Sequence, residues 1–438
     1  ARFFQVSQLS RVSNHSIIKN IITSNIKGAC RCACTLLLFS SFSPVIAQRH
    51  EILSPTITSL QVVAGKDWLL PPITQLGGEP INISFDDLTH EYHRYTYRIE
   101  HCEADWTTSE EIFTSDYCEG YYEDNPIDDL VESINTNTLY THYSLQIPNE
   151  RCRLKIGGNY RLTVVDNNND DTPILTVCFM VVEPLMKVGL SMTTNTDYDI
   201  NKCHQQIAMD LKYGNLTVTS PETQIKTVVM QNGRWDNAVV NAKPQYLMSD
   251  GLRWDHCRDF IFNGGNEYRK FEILDPGHPT LGVETISWDG ENYNAMIWTD
   301  EPRQSYIYDE DANGAFYIRN SDNFENDYSS DYILTHFRLK SPRLEGKVYL
   351  NASWTYDRFE PKYEMQYDDL AQLYTTTLPL KQGYYSYQYL WLRNDGTTAP
   401  VPSEGNFYQT ENQYQALVYY CPIGGRTDRL VGFGQIRR

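Results

Sequence analysis

The sharpest pattern in this chain is alternation. From His90 to Cys102 (HEYHRYTYRIEHC), Tyr95, Tyr97, Ile99 and His101 fall on one face of an extended segment and Arg94, Thr96, Arg98 and Glu100 on the other. A period of two marks a half-buried strand. Tyr143 to Ile147, Asn159 to Val165 and Thr176 to Val182 are further strand candidates, and the polar run Asp166 to Asp171 (DNNNDD) reads as the turn joining the last two. Strands at this spacing predict a β-sandwich over 48–184 that closes near Glu183-Pro184. A second strand-rich stretch follows, with candidates at Gln206 to Leu211, Gln224 to Gln231, Arg269 to Leu274, Ala295 to Trp298, Ser305 to Tyr308 and Ala315 to Arg319. Loops rich in Asn, Asp and Gly separate them, and no amphipathic helix of three turns can be traced. Pro342 ends a strand that starts near Tyr332, which places a boundary at 340/341. The last hundred residues alternate again at Val348 to Trp354 and Gly383 to Trp391, and Tyr414 to Tyr420 supplies another strand. The expectation is an all-β protein of tandem immunoglobulin-like β-sandwich domains at 48–184, 185–340 and 341–438.

Composition supports the strands. Thirty-two tyrosines against eight methionines, with 41% hydrophobic residues, suit β-rich globular structure rather than disorder or helical bundles. A single apolar run, LLLFSSFSPVI at residues 36–46, follows Lys19, Lys27 and Arg31 and precedes Ala47 and Gln48. That is the layout of a secretory signal peptide cleaved after Val45-Ile46-Ala47, and the run is too short for a spanning helix. The expected leader is 1–47, and no later run is long enough to insert in a membrane.

The formal net charge is −19, and the leader carries Arg2, Arg11, Lys19, Lys27 and Arg31 but no acid, so the mature chain is more acidic by five. Such a surface repels phosphate backbones and anionic lipid, which argues against nucleic acid and against direct membrane binding. Seven cysteines lie beyond the leader: Cys102, Cys118, Cys152, Cys178, Cys203, Cys257 and Cys421. None forms a C-x-x-C pair, and their pairing cannot be read from spacing. Buried thiols mixed with one or two bridges are expected.

The motifs carry little chemistry. Asp309-Glu310-Asp311-Ala312-Asn313-Gly314 opens like an EF-hand calcium loop, but its twelfth position is Asn320 where the bidentate Glu belongs, and its flanks read as strands. A hairpin turn at Asn313-Gly314 is the plainer reading. Neither a G-x-S-x-G elbow, an H-E-x-x-H pair nor a P-loop is present. The neighbouring acids Asp86-Asp87 and Asp128-Asp129 are what chance supplies among 56 acids. His101, on the apolar face of its strand, reads as a satisfied core histidine. Tyr385, Tyr387, Tyr389 and Trp391 share one face and could stack on sugars, though core packing is the ordinary use of such a stripe. No catalytic residue, metal ligand or cofactor is expected, and no partner-binding residue can be named.

Longer stretches resemble a known family. Ile83-Ser84-Phe85-Asp86-Asp87-Leu88, then Tyr95 to Trp106 (YTYRIEHCEADW), are similar to the first domain of the plug proteins of the type IX secretion system of Bacteroidota. So are Ile127-Asp128-Asp129, Ser133 to Thr136, Tyr140 to Tyr143, Pro148-Asn149 and Gly158 to Leu162. The similarity continues through Gly314 to Asn320, Asp331-Tyr332, Leu380 to Tyr389, Glu404 to Tyr408, Val418 to Tyr420 and Asp428 to Gly432. It thus spans the mature chain in order. The resemblance implies a non-enzymatic periplasmic protein that binds the outer-membrane translocon barrel and closes its periplasmic mouth. The third segment also resembles carbohydrate-associated and early-set sandwiches, which makes a glycan-binding module the alternative.

Overall fold

The computed structural model describes residues 49–437. The leader expected at 1–47 lies outside them. Strands dominate, and the helices are single turns of three or four residues such as Thr114–Tyr117 and Pro221–Gln224. No helix among the described residues is long and apolar enough to cross a membrane.

The first body is a pair of facing sheets. One runs Glu51–Ile52, Thr172–Val182, Gly158–Asp166, Tyr95–Cys102 and Asn125–Pro126, with Ile73–Gln75 added in parallel; the other runs Ile57–Ala64, Ile81–Asp87, Thr141–Ile147 and Asp129–Glu132. Tyr95, Tyr97 and Ile99 meet Ile81, Ile83, Phe85 and Tyr143 between the sheets, and Phe85 stacks on Tyr143 at 5.3 Å. The inward face read from alternation is therefore the face that is buried.

The remaining chain departs from the tandem arrangement. Lys187–Thr193, His204–Lys212, Gly251–Trp254 and Tyr246–Met248 form one sheet of a second sandwich. Its other sheet joins Val239–Val240 and Ile225–Gln231 to Gln413–Tyr420 and Arg429–Arg437 from the end of the chain. Between these halves, residues 269–401 form a third body, a ten-stranded sheet that folds over one core. Phe271 lies 5.5 Å from Phe337, and Phe337 lies 5.3 Å from Tyr387. Tyr332–Lys340 pairs along its whole length with Leu373–Lys381 on the far side of residues 340/341, and in chain order the third body lies within the second. Pro342 ends a strand there, but ending a strand does not end a domain.

Two strands lack a solvent face over most of their length. Thr172–Val182 and Gln413–Tyr420 are buried on both faces, because the first and second sandwiches pack sheet against sheet. Cys102, Trp106, Cys178, Met180 and Val182 from one side meet Val228, Met230, Leu417, Tyr419 and Leu430 from the other. The Tyr419 hydroxyl donates across this seam to Asn159 Oδ1 at 2.8 Å.

The expected strand at Ser305 to Tyr308 is irregular in the structure, so no hairpin forms at Asn313-Gly314. Phe316–Ile318 instead pairs with Gly383–Tyr385, which occupies the edge a hairpin partner would need. The Val348 strand is also shorter than its alternation suggested: it runs Lys347–Asn351 and gives way to a 3-10 turn at Ser353–Thr355.

Candidate functional site: the cleft where the three bodies meet

The first and third bodies are joined by buried charge. In the strand Ile81–Asp87 consecutive side chains point to opposite faces. Asp87 turns to Tyr95, whose hydroxyl donates to it at 2.9 Å. Asp86 turns outward to Lys381, with Nζ 2.6 Å from Oδ2 and both side chains almost fully buried. Tyr332 donates its hydroxyl to the same oxygen at 2.5 Å, and His142 Nδ1 lies 2.6 Å from Oδ1. Lys381 Nζ also sits 4.2 Å from the centre of the Tyr140 ring. Burial would push the Asp86 carboxyl up, but Lys381 and the His142 hydrogen bond outweigh it and hold it below the usual carboxylate range. Burial pulls the Lys381 ammonium down, opposed by Asp86. Backbone N–H groups of Asn137 and Thr138 donate to Asp331 at 2.8 and 3.0 Å, and Tyr140 donates to the Ser330 carbonyl at 2.7 Å. These contacts weld the two bodies.

Beside this joint, all three bodies line one cleft of about 190 Å³. The first contributes Trp68, Leu69, Leu70 and Trp106, the second Arg234 and Trp235, and the third Phe316, Tyr356 and Asp357. Arg234 holds Asp236 through two hydrogen bonds, of 3.0 and 2.6 Å, and Thr398 donates to Asp236 at 2.8 Å. Burial, then the nearby Asp236, pushes the Asp357 carboxyl up to about 6, while Asn351 donates to it at 2.9 Å. Three buried polar atoms of lining residues lack a protein partner: Arg49 Nε, Trp106 Nε1 and Asn313 Oδ1. With aromatic walls around two donors and an acceptor, the cleft can hold a small polar group or an inserted side chain. Sequence reading missed it, since its residues are far apart in the chain and the motif that holds Asn313 gives no sign of a cleft.

The residues singled out from sequence go elsewhere. Tyr385, Tyr387 and Tyr389 are core side chains; the last two donate to Asp300 Oδ2 at 2.9 and 2.7 Å, and Tyr385 donates to the Lys381 carbonyl at 2.6 Å. Asp300 is held by Arg269 at 2.7 Å, which also binds Glu404 at 2.8 Å. Trp391 donates to the Glu345 carbonyl at 2.7 Å and carries the Arg393 guanidinium 4.7 Å above its ring. The stripe is therefore filled from within the protein. His101 is buried, in contact with Ser109 Oγ at 2.8 Å, and burial lowers its pKa to about 4. Asp128 pairs with exposed Arg151 at 2.9 Å, and Asp129 accepts a hydrogen bond from Ser144 at 2.6 Å.

The loop at 309–314 does not converge on a point. Asp309 pairs with Lys270 at 2.6 Å, and Asp311 accepts the backbone N–H groups of Asn313, at 2.7 Å, and Tyr268. Asn320 is used by Ser329 and Asn323, at 2.9 and 3.0 Å. Burial pushes the Asp311 carboxyl up to about 7. Thermal melts in calcium and in chelator are expected to coincide, and a calcium-dependent rise of several degrees would contradict this geometry.

One cluster with metal-ligand chemistry went unnoticed in the sequence, in the spacing Asp199-x-x-x-Cys203-His204. Its ligand atoms lie within 4.8 Å of one another. His204 Nδ1 is 2.6 Å from Asp199 Oδ2, and Cys203 Sγ lies 3.3 Å from the same oxygen. Burial and Asp199 both raise the thiol pKa, so the cysteine is a neutral donor rather than a thiolate nucleophile.

Residues 57–183 match the family model described as the first domain of the type 9 secretion system plug protein. A crystal structure of a hypothetical protein from Parabacteroides merdae ATCC 43184 superimposes with a TM-score of 0.86 at 38% identity, covering 89% of this chain and 99% of that one. A Streptomyces avermitilis α-L-rhamnosidase complexed with L-rhamnose aligns over 86% of this chain and 40% of its own at 9% identity with a TM-score of 0.16, a likeness too slight to bear on the fold. No curated protein matches the chain.

Proposed function

Because the chain belongs to the plug protein family of the type IX secretion system, we propose that it is a periplasmic, non-enzymatic plug that binds the outer-membrane translocon barrel and seals its periplasmic opening. The observation that carries this reading is the first-domain match over 57–183, in a chain whose other two bodies are fastened to that domain.

The fastening supports the reading physically. A seal over a wide aperture must present one fixed face, and bodies on flexible tethers would let the aperture leak. Here Lys381 and Asp86 join the first body to the third, and a sheet-on-sheet seam joins the first to the second. The insertion of residues 269–401 between paired strands of the second sandwich ties the third body in at both its ends. A large contact area is also what a stable protein–protein seal requires.

Affinity purification of the tagged protein from detergent-solubilised membranes tests the partner. Recovery of a very large outer-membrane protein in stoichiometric amount is the expected result. Recovery of the plug alone, at several detergent strengths and with cross-linking, would count against it.

A further inference from the structure

The first sandwich carries a short two-stranded ribbon, Cys118–Gly120 paired antiparallel with Cys152–Leu154. Its register sets Cys152 opposite Gly120 and Leu154 opposite Cys118, so the two cysteines lie on the same face, diagonally across the ribbon. Diagonal neighbours ordinarily stand too far apart for short side chains to meet. Here the sulfurs are 3.1 Å apart, and both residues are buried.

Two features draw the strands together. Gly120 has φ +107, and a Cβ on it would lie 2.1 Å from the Arg151 carbonyl oxygen, so no other residue permits this approach. Asn149 holds the second strand from its start: its side-chain oxygen accepts the N–H groups of Arg151 and Cys152 at 2.9 and 3.0 Å. Backbone bonds from Tyr121 to Arg151 and from Lys155 to Tyr117, at 2.8 and 2.9 Å, close the ribbon at both ends.

We propose that Cys118 and Cys152 are joined by a disulfide in the exported protein. From 3.1 Å the sulfurs need move by only about 1 Å to reach bonding distance. Cys102 and Cys178 show the contrast. They lie opposite Asn159 and Arg161 on the two strands flanking Gly158–Asp166, which leaves them about 10 Å apart across that strand and out of bonding range.

The chemistry is thiol–disulfide exchange with an oxidised dithiol oxidoreductase of the envelope. The Cys118 thiolate attacks one sulfur of the oxidant, whose own disulfide breaks and whose second sulfur leaves as thiolate. The Cys152 thiolate then attacks Cys118 Sγ, the mixed disulfide breaks, and the oxidant departs as a dithiol carrying both electrons and both protons. The hydrogen bond from Cys152 is the main influence holding the Cys118 thiol below its ordinary range, which suits it to the first attack. The bond would close a loop of 34 residues in sequence separation that contains the strands Asp129–Glu132 and Thr141–Ile147. It would also brace the lobe that exposes Phe113 and Tyr121.

The proposal rests on the periplasmic reading above, and its test separates the two. The mature protein is prepared twice, once from a reducing cytosol followed by oxidised glutathione, and once from the envelope of cells producing it. Each sample is blocked with iodoacetamide, digested without reductant and mapped by mass spectrometry. A Cys118–Cys152 cross-linked peptide, two hydrogens lighter than its parts, is expected in both. The oxidised protein should also melt about 5 °C above its reduced form, and Cys118→Ser should abolish that difference while Cys102→Ser leaves it. Alkylation of both Cys118 and Cys152 in both samples would overturn the disulfide. A bond formed with glutathione yet absent from the envelope sample would leave the pairing standing and overturn its formation on export.

Discussion

Lys381→Met is expected to destabilise the protein by about 3–5 kcal/mol, because it strands a buried carboxylate without its counter-ion. Asp86 has no exposed surface, and its oxygens would keep only the Tyr332 hydroxyl and His142. Asp86→Leu should cost a similar amount for the mirror reason, leaving an ammonium buried against the Tyr140 ring. The double variant Asp86→Leu, Lys381→Met removes both charges and should recover most of the loss, since a buried pair replaced by apolar groups of similar volume is often neutral. Urea unfolding followed by tryptophan fluorescence measures all three, with the first transition reporting the joint if unfolding is stepwise. A Lys381→Met protein as stable as the parent would mean that the joint is not closed in solution. If the double variant were no better than the singles, the contacts of Tyr332, and not the charge pair, would hold the bodies together.

This joint also shows where reading the sequence stops. The strand Tyr95–Cys102 was legible because one of its faces is core and the other is not, so alternation survives in the text. Thr172–Val182 is only partly legible, since it is covered on both faces and the strand starts four residues before Thr176, where the sequence pattern begins. Asp86 and Lys381 were invisible as partners: they are 295 residues apart, and each stands beside neighbours that make it look like ordinary surface charge. The order of the three bodies along the chain is hidden from the sequence for a related reason. Strand pairing between Ile225–Gln231 and Gln413–Tyr420 leaves no local mark, while Pro342 leaves a conspicuous one. The aromatic stripe was resolved correctly in favour of core, and its use of Asp300 as a shared hydroxyl acceptor could not have been foreseen, because Asp300 lies in a loop eighty-seven residues away from Tyr387.

Deleting the gene is expected to make the outer membrane permeable while secretion through the type IX pathway continues. On the sealing role proposed above, the chain closes a conduit that other proteins build and drive, so its loss should open a hole without removing the route. The leak should appear as sensitivity to large antibiotics and as entry of dyes that normally stay outside. It should disappear in a double deletion lacking the translocon, since without the barrel there is nothing to plug. The joint variants sharpen the test. Lys381→Met, if it loosens the first body from the third, should leak in proportion to its loss of stability, while the charge-free double variant should seal nearly as well as the parent. An intact barrier in the single deletion would count heavily against sealing. Leak that persisted without the translocon would place the protein in general envelope maintenance, and a mutant that failed only to use one polysaccharide would transfer the case to glycan binding. The three outcomes differ because only a plug needs both its partner and its own rigidity: a glycan-binding module would tolerate loose joints, and a general envelope protein would not depend on the barrel.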